Sequence, residues 1–241
     1  MFPIQDTIPR RNPPFVTWGI IVANVLVFMY EISLPPEYLE LFVRKWGVIP
    51  AIYTTGYWML EPMVYISLFT NMFLHGGWTH IIGNMWTLWI FGDNVEDRLG
   101  KGKFLLFYIL SGIAASMTHI VFNPHSTIPA IGASGAIAGV MGAYLIMFPQ
   151  SRVITLVPVF FLPMFFEIPA VIYLGVWFVS QLFSGTFAIL ASTSGGGIAW
   201  WAHIGGFIAG IILRFILGPT PRTYRRHYPD EMIWIRDLHR L

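Results

Sequence analysis

Long apolar runs alternate along this chain with short polar or proline-rich stretches. Six runs, at about residues 15–32, 78–91, 104–122, 131–148, 168–183 and 198–217, are almost free of charge. A hydrocarbon core about 30 Å thick takes roughly 20 such residues as a helix, so each run predicts a transmembrane helix. A seventh apolar piece, 153–166, is interrupted by Pro158 and Pro163. Proline inside a helix removes a hydrogen bond and clashes with the preceding turn, so this piece predicts an interfacial or re-entrant connection. The expected fold is an all-α membrane protein, a six-transmembrane-helix bundle with a long external loop after helix 1 and no internal repeat. Residues 1–14 are expected to form a cytoplasmic N-terminal segment, 15–217 the membrane domain and 218–241 a cytoplasmic tail.

Composition supports the membrane class. The 241 residues are 56% hydrophobic and 11% charged, against about 25% charged in soluble domains. A net charge of +2 gives no reason to expect nucleic acid as a partner, and with no cysteine there is no disulfide, thiolate nucleophile or thiolate metal site. The first apolar run is long for a signal-peptide core and lacks a small-residue cleavage site, so it is kept as a span. No arginine- and serine-rich transit peptide is expected.

Lysine and arginine orient the bundle. Arg10, Arg11, Arg98, Lys101, Lys103, Arg152, Arg214 and the arginines of the tail fall on one side of a six-span arrangement, and only Arg44 and Lys45 on the other. Both termini are therefore expected in the cytoplasm of an integral multi-pass protein of the cell (plasma or inner) membrane. The connection at 33–77 carries Trp46, Tyr53, Tyr57, Trp58 and Tyr65. Such rings favour the headgroup zone, and a folded external segment lying partly in the interface is expected.

Two small-residue motifs carry the candidate chemistry: Gly132-Ala133-Ser134-Gly135 and Ala202-His203-Ile204-Gly205-Gly206. Each opens an apolar run that enters from outside, so Ser134 and His203 sit at matching depth. His80 and Asn84, spaced i, i+4 on one helix face, lie at a comparable level. Polar groups in a bilayer are costly and need partners, which favours their convergence. A serine hydroxyl needs a base to become a nucleophile, and neutral imidazole serves near pH 7. The oxyanion needs donors, which His80, Asn84 and the Ser134 backbone N–H can supply. No Asp or Glu is placed in the outer half of a span, so the expected site is a Ser–His dyad. Gly135, Gly139 and Ala143, with Gly142 beside them, and Ala202, Gly206 and Gly210 form small-residue stripes that let helices approach closely. Packing alone would also account for them. His75 reads as an interfacial histidine bonding loop backbone. His75, His119 and His125 lack ligand spacing, so neither a metal nor a cofactor is expected. His227 and His239 read as solvated parts of the tail.

Together, His75-x4-His80-x3-Asn84, Gly132-Ala133-Ser134-Gly135 and Ala202-His203-x2-Gly206-x3-Gly210 resemble the rhomboid family of intramembrane serine proteases. The resemblance covers nearly the whole chain from Phe15 to Leu217. It implies a six-span rhomboid-like bundle, Ser134 as nucleophile and His203 as general base. It also implies an oxyanion site of His80, Asn84 and the Ser134 N–H, and a structural His75. There are two departures. Many rhomboids carry a Trp-Arg pair where this chain has Ile66-Ser67, and an aromatic residue one turn after the serine where it has Ala138.

The expected function is hydrolysis of peptide bonds in or near the outer end of substrate transmembrane helices, with transmembrane proteins and the lipid bilayer as partners. Ser180, Gln181, Ser184 and Thr186 could hold a wet cavity, and the 191–197 loop could cap it. The competing readings are a catalytically inactive rhomboid-like protein that binds transmembrane segments, and a transporter. The absence of a repeat and of a mid-membrane charge weighs against the transporter.

Overall fold

The computed structural model describes residues 2–55, 62–190 and 199–218. Four described helices are long and apolar enough to cross a membrane. They are α1 (Phe15–Ser33), α6 (Lys101–Phe122), α8 (Ala170–Leu190) and α9 (Trp200–Leu217). Two further helices pack against these. α5 (Trp78–Leu99) carries on past the apolar run through Asp93, Glu96 and Asp97. α7 (Ser134–Met147) has 14 residues, about 21 Å at 1.5 Å per residue. Every residue of α7 from Gly135 to Tyr144 is buried, so its short length is matched by neighbours made of protein.

The small-residue stripes of α7 and α9 face each other. A Cβ on Gly206 would lie 2.0 Å from the Gly135 carbonyl oxygen, one on Gly210 2.0 Å from that of Gly139, and one on Gly142 2.2 Å from that of Phe207. The contacts are backbone to backbone, the closest approach two helices can make.

Between α1 and α5 the chain forms α2 (Pro36–Trp46), α3 (Pro50–Thr54), α4 (Pro62–Thr70) and a single 3-10 turn at Asn71–Phe73. This connection is therefore folded. Tyr57, Trp58, the 191–197 loop and the tail after Gly218 lie outside the described residues.

The fold is mostly helical rather than all-α. Residues 153–166, expected as an interfacial or re-entrant connection, form the greater part of an antiparallel hairpin, β2 (Arg152–Val159) and β3 (Leu162–Pro169). The N-terminal segment adds β1 (Phe2–Asp6), giving the order β1-β2-β3. An apolar run does not by itself separate strand from helix. The prolines fit because Pro158 pairs with Pro163, beyond Leu156, where β1 stops pairing with β2. There β2 is an edge among the described residues, and a missing N–H breaks no ladder bond on that side.

Charged groups beside the sheet clamp the bundle. The Glu96 carboxylate accepts from the Val16 N–H (3.1 Å), the Thr17 N–H (2.8 Å) and the Thr17 hydroxyl (2.8 Å). It thereby caps α1, whose own N-cap is Pro14 with no side-chain bond. Asn12 donates to Asp97. The Asp6 carboxyl on β1 accepts from the Asn94 amide (2.7 Å) and the Tyr144 hydroxyl (2.5 Å), and Trp86 Nε1 donates to the Pro3 carbonyl (2.7 Å).

Burial pushes Asp6 up from 3.8 to about 7; the Tyr144 bond opposes the shift and the nearby Asp93 adds to it. A carboxyl raised on folding favours the folded state in its neutral form. Its contribution is complete below 3.8 and is lost as pH rises through about 7. Thermal unfolding in detergent should therefore fall over that window in the wild type and fall less in Asp6→Asn. Equal slopes in the two proteins would remove Asp6 from this account.

Candidate active site

Ser134 is the first residue of α7. At a helix start the backbone N–H groups have no intrahelical partner and carry the positive end of the helix dipole, so the Ser134 N–H is an available donor. Gly132, two residues earlier, has φ +126°, and a Cβ there would lie 2.7 Å from His80 Nε2 and 3.6 Å from Ser134 Oγ. The glycine is thus required twice, by its backbone conformation and by the His80 ring that fills the Cβ space. Its N–H donates to the Asn71 carbonyl (2.9 Å), which anchors the loop.

His203 lies in the first turn of α9. Its Nε2 is 2.8 Å from Ser134 Oγ, and its Nδ1 is 2.8 Å from Gln181 Oε1 on α8. An amide oxygen only accepts, so Nδ1 carries the proton and Nε2 presents a lone pair to the serine hydroxyl. Gln181 is buried, and its own N–H donates to Ser180 Oγ (3.1 Å), which donates in turn to the Trp177 carbonyl (2.6 Å). The orientation of the amide is therefore set from both ends. The Trp177 ring lies 5.9 Å from that of His203 at 35°, and Trp200 stands edge-on at 6.4 Å. The aromatic neighbour missing at Ala138 is thus supplied from α8 and from the start of α9.

On α5, the Gly76 N–H donates to His80 Nδ1 (3.3 Å), so His80 Nε2 bears the proton on the side facing Gly132. Asn84 donates to His75 Nε2 (3.0 Å). Among the described residues it makes no bond to Ser134 or His203. The His75 ring thus pairs with Asn84. Burial, with neighbouring His80, pushes the His75 imidazole down to about 4, so it stays neutral and can accept that bond. The His75 backbone N–H donates to the Glu31 carboxylate (3.1 Å). Glu31 is a carboxylate in the last turn of α1, at the level where none was expected. It serves His75, not His203.

The cavity beside Ser134 is lined by Asn71, Ser116, His119, Gly132 and Ala202, and has a volume of about 20 Å³, room for one water. It opens against α6. Of the α8 residues expected to hold it, Gln181 is committed to His203 and Ser180 and Thr186 are exposed. Gln181 was legible only as a polar residue in an apolar run, and nothing in its spacing pointed to His203.

The sequence profile of the Rhomboid domain matches residues 62–220, a stretch that contains Ser134, His203, His80 and Asn84. The chain belongs to the rhomboid family. It is 33% identical over 144 residues to Rhomboid protease GluP of Bacillus subtilis, covering 59% of this chain and 26% of that protein. It is 25% identical over 221 residues to Rhomboid protein 1, mitochondrial, of Saccharomyces cerevisiae, covering 90% and 57%. It is 41% identical over 80 residues to Putative rhomboid protease YdcA of Bacillus subtilis, covering 33% and 40%. The chain spans less than two thirds of the length of each of these relatives. In this rhomboid Ser67, one of the two residues standing in place of a Trp-Arg pair, is buried and shares a 2.7 Å hydrogen bond with the Tyr53 hydroxyl, joining α3 to α4.

Proposed function

We propose that this rhomboid is an intramembrane serine endopeptidase that cuts transmembrane protein substrates near one end of their membrane helices. The observation that carries the reading is the 2.8 Å contact between Ser134 Oγ and His203 Nε2, with Nδ1 occupied by Gln181. His203 takes the Ser134 proton as Oγ bonds the scissile carbonyl carbon. The carbonyl oxygen becomes an oxyanion facing the Ser134 N–H, His80 Nε2–H and the second N–H of the Asn84 amide. Collapse breaks the C–N bond, and His203 passes its proton to the leaving amine. Water then hydrolyses the Ser134 ester by the same steps, with His203 again as base. No metal or cofactor enters these steps.

In this reading α1, α5, α6, α7, α8 and α9 are the six spans of a membrane domain at 15–217, with 33–77 external and the segments 1–14 and 218–241 cytoplasmic. The Lys and Arg distribution supports that orientation; in this reading the membrane is the cell membrane, with Ser134 toward its external side.

A fluorophosphonate probe tests the assignment. Wild type in detergent should be labelled, and Ser134→Ala and His203→Ala should not. A folded wild type that stays unlabelled by this probe and by an isocoumarin would sink the protease reading and favour a rhomboid-like protein that binds transmembrane segments without cutting them.

Gln181 orients the base in this scheme. Gln181→Leu should lower kcat by roughly 10- to 100-fold, the worth of one hydrogen bond to a group that becomes charged, and leave KM nearly unchanged. Gln181→Glu keeps the acceptor and should recover most of the rate. An unchanged kcat in Gln181→Leu would show that His203 needs no partner at Nδ1.

A further inference from the structure

The β2–β3 hairpin projects from the end of α7 opposite Ser134. No Asp, Glu, Lys or Arg occurs between Arg152 and Glu167. These two form an exposed ion pair at the base of the hairpin (3.7 Å). Beyond Leu156, the last position paired to β1, the hairpin extends as a two-stranded arm with apolar side chains on both faces. Val157 and Val159 pair with Met164 and Leu162 on one face, and Leu156 pairs with Phe165 on the other. The turn is Phe160-Phe161, with φ of 47° and 70° and exposures of 92% and 102%. Two-residue hairpin turns with φ > 0 at both positions suit Asn and Gly. A side chain with a Cβ pays about 1–2 kcal/mol per residue for that conformation. Two phenylalanines in water thus carry both a backbone cost and an apolar one, and only the second can be relieved by a change of surroundings.

The continuity of the exposed surface indicates what those surroundings are. β3 runs directly into α8, one of the membrane-length helices. The exposed Leu162, Phe165 and Phe166 lead to the exposed Val171, Ile172 and Val176. A surface continuous with the flank of a membrane helix meets the solvent of that flank. Among the described residues the outer edge of β3 has no strand partner, and unpaired backbone groups are not tolerated in the hydrocarbon interior. The arm therefore does not cross the bilayer but lies in its interfacial layer.

We propose that the β2–β3 hairpin is a lipid-inserting arm. It beds Phe160, Phe161 and Phe165 among the acyl chains of the leaflet at the end of the bundle remote from Ser134, with the Arg152–Glu167 pair at headgroup level. The proposal rests on the chain being an integral membrane protein and is independent of whether it cuts peptides.

Because the chain has no cysteine, Phe161→Cys introduces a single thiol. It is labelled with an NBD fluorophore, and the full chain is reconstituted in phosphatidylcholine–phosphatidylglycerol vesicles. An Arg152→Cys label reports the base of the arm. The expected result is a blue-shifted emission at position 161, quenched by nitroxide on the lipid acyl chains and not by aqueous iodide, while position 152 is quenched by headgroup nitroxide. Iodide quenching at 161 equal to that at 152 would overturn the proposal by leaving the tip in water. Protection from both quenchers would overturn it in favour of a contact with a second copy. Far-ultraviolet circular dichroism of each labelled protein, compared with wild type, excludes misfolding as the source of either result.

Discussion

Ser134→Ala is expected to abolish cleavage of a transmembrane substrate in proteoliposomes, with a loss on the order of 10⁴-fold or more in kcat. His203→Ala should lose nearly as much, and the double variant no more than the worse of the two. The reason is chemical. The hydroxyl is a poor nucleophile unless Nε2, 2.8 Å away, removes its proton as the bond to carbon forms. The imidazole in turn has nothing to deprotonate when Oγ is gone. Groups that act as one unit are lost as one unit, so the free-energy penalties do not add. Thermal unfolding should hardly change in Ser134→Ala, because the variant removes one hydroxyl and leaves the α7 backbone intact. Residual cleavage by Ser134→Ala at even a tenth of the wild-type rate would eliminate it as the nucleophile.

Gly206→Ala should be strongly damaging for a single added methyl. In the interior of a helix a change from glycine to alanine ordinarily stabilises by about 1 kcal/mol. Here the added Cβ would lie 2.0 Å from the Gly135 carbonyl oxygen and 2.9 Å from its carbon, and neither atom can rotate away as a side chain could. α7 and α9 must separate. Gly135 follows Ser134 directly in the chain, and Gly206 is one turn from His203, so the separation is applied to the two helices that hold the dyad. Overpacking of this kind costs about 1–3 kcal/mol, and a displacement of about 1 Å between reacting groups can cost roughly 10²-fold in rate. The expected result is a lowered unfolding temperature together with a loss of kcat. Gly175→Ala on α8 is the control, since among the described residues nothing lies within 4 Å of its Cβ position, and it should be neutral or slightly stabilising. Wild-type activity in Gly206→Ala would show that the dyad tolerates wider helix spacing.

The small-residue stripes and the polar groups beside them were legible because helical spacing fixes which residues of one helix share a face. Gly135 and Gly139, and Gly206 and Gly210, are four apart, one turn, whatever the helices do later. Ser134 and His203 each stand at the start of an apolar run, so their similar depth follows from counting. Interpreting 153–166 as an interfacial or re-entrant connection missed the hairpin for a related reason. Its apolar residues show no period, and the two prolines read as helix breaks when they are a pair at the free end of a hairpin.

Glu31 was legible as a residue near the end of the first run, but its partner is the backbone N–H of His75, 44 positions away. Gln181 sits among Ser180, Ser184 and Thr186 in an otherwise apolar run, and these do not fix the rotation of α8 about its axis. Only packing against α9 turns Gln181 and Trp177 toward His203. The sequence alone determined that the chain enters a bilayer, which runs are helical and which of their residues are small or polar, because these depend on transfer free energy and on a period of 3.6 residues. The tertiary structure decided which polar group meets which, that the N-terminal segment closes a sheet with 152–169, and that His203 holds a defined tautomer. Those facts depend on helix rotation and on distances between segments far apart in the chain, which no local pattern encodes.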